Sequence, residues 1–247
     1  MWNSDTKIFF KENLNLKKKE LLDKLLFEIS IPKIGIAIVF DNNDYSDYPN
    51  PLWRNQGLHL NIKLDDFEYE SPDHLLDIME SKKFSNLIWI SNRICRGDLI
   101  QFAWVISHEF QHFVQDRICH TVSLVNWFMI EWISNNPITI EEPKKSLSIP
   151  YEFNAEIAAY KMAIQFFGKP EAERYIRSPR NDNNLITLLK YDLTQPYDVV
   201  AETVQFLNKY KNQIEDYVKK ASNPYVRSFN VKNALHNLRK CLDTLEM

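Results

Sequence analysis

The chain has 247 residues, with 30 Lys and Arg against 33 Asp and Glu and a net charge of −3. That balance argues against nucleic acid as a partner, which calls for a basic surface. Four glycines, with no G-x-G-x-x-G or Walker pattern, argue against a phosphate-cradling loop. An apolar content of 45% with 13% aromatics is ample for a packed core.

The three cysteines, Cys95, Cys119 and Cys241, are odd in number and form no C-x-x-C pair. A secreted disulfide framework is not expected. The first residues lack the apolar core of a signal peptide. The longest apolar stretch, 122–133, is too short to span a bilayer and carries Glu131. The expectation is a cytoplasmic protein with no membrane segment.

Residues 11–29 read as a charged amphipathic helix with Leu14, Leu21, Leu22, Leu25 and Leu26 on one side. Residues 34–40 are β-branched and apolar, a strand signal. Residues 41–51 form a polar loop. Residues 57–64 alternate as a second strand, residues 72–82 make a short helix, and residues 87–90 make a third strand. This last strand runs directly into the next helix, so it is expected to edge a cleft and pair with an extended peptide.

Residues 98–118 then read as a helix, with Asp98 as N-cap and apolar residues on most sides. Within it lies His108-Glu109-Phe110-Gln111-His112. The H-E-x-x-H spacing puts two imidazoles one turn apart on one face, where both reach one metal ion. Two His and one carboxylate suit Zn²⁺ and leave a position for water, whose proton Glu109 can take as general base. A lone His on an apolar helix is usually a satisfied core residue. Two at this spacing with Glu between them are harder to explain as packing.

Three glutamates compete for the third ligand position. Glu152 opens a helix over 150–167, with Pro150 at its start, Gly168 at its end and a row of alanines for close approach. Glu156 lies one turn on, as ligand or as acceptor for a His N–H. Glu131 lies in a helix over 121–134, nineteen residues beyond His112. Glu152 leads, with Glu156 and Glu131 open. Asp116 and His120 continue the His row but drift off its face, and His120 is left unassigned.

His108-Glu109-Phe110-Gln111-His112, followed by Glu152-Phe153-Asn154-Ala155, resembles the ImmA/IrrE-like zincin metallopeptidases and related phage and bacterial zincin domains. The resemblance spans roughly residues 85–165. It departs from the family at Asn154, where a second acidic residue is common, and at Glu156, where Asn is common. It implies His108, His112 and Glu152 as zinc ligands, Glu109 as catalytic base, and proteolysis of an intracellular protein substrate. It also implies an α+β fold with a minimal zincin-like core, a small sheet packed on the two ligand helices.

Residues 137–149 form a loop that can wall the cleft. A polar stretch over 178–184 marks a boundary. The expected organisation is therefore a metallopeptidase domain over 1–180 and a helical extension over 181–247, chiefly helices at 197–221 and 231–245. Tyr151, Tyr160, His120, Arg93 and Arg96 are candidate oxyanion donors. The alternatives to a peptidase are a silent zincin-fold regulatory protein with structural zinc, a zinc amidase acting on a small substrate, and a helical interaction protein in which the motif is coincidental.

Overall fold

The computed structural model describes residues 6–29, 35–45, 47, 55–62, 71–81, 83–135, 149–179 and 184–245. All but the last residue of the loop expected over 137–149, much of the polar loop over 41–51 and the centre of the 178–184 boundary lie outside them. The fold is mixed α+β, with one four-stranded sheet. The chain divides into two compact units, 1–113 with 158–175, and 114–157 with 176–247.

In the first unit the strands are β1 (Thr6–Phe9), β2 (Ile36–Phe40), β3 (Gly57–Asn61) and β4 (Asn86–Ile90). Their spatial order is β1-β2-β4-β3. β1, β2 and β4 are parallel, and β3 pairs antiparallel with β4 along the register Gly57 to Ile90 through Asn61 to Asn86. Every residue of β2 and β4 is buried. That is why β2 and residues 87–90 of β4 read as unbroken apolar runs, as strands covered on two faces do. β4 is thus an interior strand. The expectation that it edges a cleft is corrected: β3 occupies the edge.

One face of the sheet gathers Ala37, Val39, Leu58, Leu60, Leu87 and Trp89 against Leu75, Ile78 and Met79 of α2 (Asp73–Glu80). On the alternate face Phe40 stacks on Phe102 of α4 (Leu99–Ile118). Helix α1 (Leu16–Glu28), capped by the Asn15 side chain on Lys18 N, buries Leu21, Leu22, Leu25 and Leu26. Between β4 and α4 runs the five-residue α3 (Asn92–Arg96).

Lys18 of α1 is 1% exposed, and its ammonium donates to the carbonyls of Ile94, Cys95 and Gly97. These are carbonyls at the end of a short helix, where most lack an intrahelical partner, and Ile94 O also accepts from Gly97 N. Burial lowers the Lys18 pKa from its ordinary value. Burial also pushes the free thiol of Cys95 up to about 12, so it is an inert packing group.

Asp41 follows β2 and is 2% exposed. It accepts from His74 Nε2 and Trp89 Nε1, both at 3.0 Å, and from Asn43 N. Burial alone would raise its pKa, but these donors outweigh burial and hold it at about 2. The group ties α2 to the sheet.

The second unit is helical. Its core unites α5 (His120–Asn135), α8 (Val199–Lys220) and α10 (Val231–Leu245) through Val122, Val125, Phe128, Trp132, Leu207, Ile214, Leu235 and Leu238. Phe128 and Phe229 stack with centroids 3.7 Å apart. Asp198 caps α8 by accepting from Val200 N and Ala201 N. Cys119 and Cys241 form a disulfide that fastens α10 to the junction of α4 and α5. The sequence argued against a secreted disulfide framework and did not indicate this single bond. The pairing joins positions 122 residues apart, and only the packing of this bundle brings them together. Among the described residues no helix is long and apolar enough to cross a membrane.

Candidate metal centre

Two helices, α4 and α6 (Pro150–Phe167), carry the candidate metal ligands. Asp98 Oδ1 accepts from Gln101 N and starts α4 as an N-cap. Twenty residues follow without Gly or Pro. α6 ends where Gly168 takes φ 82°, a left-handed conformation in which glycine carries no steric cost, and Gly168 N closes on Ile164 O.

α4 and α6 run through both units, and each unit fixes part of their pairing. In the first, Trp104 of α4 stacks on Tyr160 of α6. In the second, Gln115, 0% exposed, donates to Tyr151 O at 2.8 Å and to Asn154 Oδ1 at 2.9 Å. Ala155, Ala159 and Ala163 are fully buried at four-residue spacing, so no large side chain holds α6 away from its neighbours.

The ligand atoms of His108, His112 and Glu152 all lie within 4.8 Å of one another. The two imidazoles are perpendicular, with Nε2 facing Nε2 at 2.9 Å. Metal–nitrogen bonds of about 2.0–2.1 Å put two ligand nitrogens roughly 2.9–3.4 Å apart for angles near 90–110°. The donor set, two imidazoles and a carboxylate, could hold a divalent transition-metal ion.

Of the three candidate glutamates, Glu152 joins this group, and among the described residues Glu131 and Glu156 join no such group. Glu109 is 7% exposed and lies against Gly57 at the start of β3. A Cβ on Gly57 would stand 2.8 Å from Glu109 Cγ, Glu109 Oε1 and Val105 Cγ1. Only a residue with no side chain lets the edge strand come this close to the glutamate.

The oxyanion candidates are scattered. The Tyr151 hydroxyl is 3.1 Å from Ser123 Oγ, a buried pair. Tyr160 is 2% exposed under Trp104. Arg93 and Arg96 lie on α3, where Arg96 reaches Asn42. His120 Nδ1 is 2.6 Å from Asp116 Oδ1. His59 has a structural setting, 3.1 Å from Asn86 Oδ1 and edge-on to Phe113.

Sequence reading missed Gly57, Gln115 and Asn126, whose Nδ2 donates to Glu152 Oε1 at 3.2 Å. A signal existed for two of them. Gln115 lies seven residues from His108 on the same helical face, and Gly57 is one of four glycines. In comparisons with known proteins, the chain matches no family model, no curated protein and no solved structure.

Proposed function

We propose that the chain is a zinc-dependent peptidase with a zincin-like core, hydrolysing peptide bonds of a polypeptide substrate. The observation that carries this reading is the convergence of His108, His112 and Glu152 on one point, with Glu109 on the same helical turn. Bound there, zinc supplies Lewis-acid polarisation of a carbonyl and acidifies a water.

The chain's own residues do the rest. His108 and His112 present imidazole nitrogens, and Glu152 presents a carboxylate oxygen. Glu109 takes the proton of the attacking water and passes it to the departing amine nitrogen. Its 93% burial strengthens its interactions with charge that develops beside it. Among the described residues no strand pairs with the outer side of β3. An extended peptide added there would run past Gly57, and thus past Glu109, without a side chain intervening.

The test pairs zinc binding with turnover. Zinc-loaded protein is incubated with a peptide library of varied sequence, and new termini are read by mass spectrometry. The wild type is expected to cleave. Glu109→Gln is expected to keep zinc and lose about 100-fold or more of the rate, the scale of general-base catalysis. Equal cleavage by Glu109→Gln overturns the mechanism. A zinc-loaded wild type that cleaves no peptide makes this a zinc-binding protein without turnover.

A further inference from the structure

Helix α5 presents Ser123 and Asn126 to the first turn of α6. Beside them Val122, Val125, Phe128, Met129 and Trp132 are locked into the helical core. Asn126 is 5% exposed. Its Nδ2 donates to Glu152 Oε1 at 3.2 Å, while its Oδ1 is buried with no hydrogen-bond partner among the described residues. A buried acceptor left unsatisfied costs about 1–3 kcal/mol. An Asn kept only for packing would satisfy both ends or give way to an apolar residue of its size.

Resting on the metal-centre reading, we infer that Asn126 is a positioning residue of the centre. It fixes the Glu152 carboxylate in its metal-binding orientation, at a cost to the stability of the metal-free fold. The torsion that turns a carboxylate is broad and nearly two-fold, so an unheld Glu152 would sample many orientations. A hydrogen bond to Oε1 stops that rotation. The donor sits on a helix locked into the helical core, so the grip is rigid. Partners that orient metal ligands in this way change metal affinity about 10- to 100-fold when removed. Ser123 supports the arrangement through the Tyr151 hydroxyl, and Gln115 holds the Tyr151 carbonyl. Glu152 thus follows a residue whose main chain and side chain are both anchored.

The experiment compares wild type, Asn126→Leu and Asn126→Ala by zinc titration against a chromophoric chelator, with thermal melts of the metal-free proteins. Leu keeps the volume and removes both polar ends. Ala serves if Leu overpacks the site. A folded Asn126→Leu or Asn126→Ala protein is expected to bind zinc about 10- to 100-fold more weakly, at the same stoichiometry. The metal-free melting temperature of Asn126→Leu is expected to equal or exceed that of wild type. Undiminished zinc affinity in either folded variant overturns the inference. So does a drop in metal-free stability with zinc affinity intact, which marks Asn126 as structural. A wild type that binds no zinc sinks the metal-centre reading itself, and is thereby distinguished from both.

Discussion

Gly57 shows how one missing side chain links the sheet to the candidate chemistry. With three heavy atoms 2.8 Å from the place of a Cβ, Gly57→Ala must displace the Glu109 carboxylate, Val105 or the start of β3. Overpacking of this kind costs about 1–3 kcal/mol. The expected result is a folded protein with zinc affinity unchanged, because His108, His112 and Glu152 are untouched. Its kcat/KM on a cleaved peptide should fall about 10-fold or more, since small misplacements of a catalytic group are expensive. Steady-state kinetics beside a zinc titration checks this, and an unchanged kcat/KM would detach β3 from the site. At this scale the sequence was readable only where spacing along one helix decides proximity. His108, Glu109 and His112 are such a case. Asn126 was not visible, because its meeting with Glu152 depends on two helices separated by residues 136–149 in the chain.

Elements followed local pattern closely. α6 occupies residues 150–167 as expected, and α4 begins one residue after its cap. Both have punctuation, Asp98 before α4 and Gly168 after α6. β1, a four-residue strand with no burial alternation, was missed, because its partner β2 lies about thirty residues away. The helix expected over 11–29 is broken, with a 3-10 turn over Lys11–Asn13 ahead of α1. Asn13 turns its amide onto Phe40 O, and Asn15 then caps α1.

The attachment of α2 carries a pH prediction. Asp41 is held at about 2 in the fold against an ordinary 3.8. A depressed carboxylate stabilises the fold fully above the unfolded value, and that contribution fades as pH falls through about 2. The difference corresponds to roughly 2 kcal/mol. Urea unfolding of wild type and Asp41→Asn should therefore show a gap at neutral pH that narrows between pH 4 and 2. A gap constant down to pH 2 would show that the ionised carboxylate is not what holds α2.

At the scale of the molecule, composition indicated a packed core, and the α+β expectation came from the resemblance. Residues 114–157 belong with 176–247, because α5 supplies the core on which α8 and α10 pack. An amphipathic pattern shows that each of these helices buries one side, and says nothing of which helix covers it. The Cys119–Cys241 bond was illegible for the same reason. The metal group unites both kinds of information, two ligands from spacing within α4 and a third brought in by α6.

The most direct measurement is zinc content by elemental analysis of purified wild type, His112→Ala and Glu152→Ala, each dialysed against a known free zinc concentration. About one zinc per wild-type chain, lost or strongly reduced in both variants, is the expected result. A wild type that takes up no zinc, or variants that bind it as wild type does, would contradict the proposal that these three residues form a metal centre.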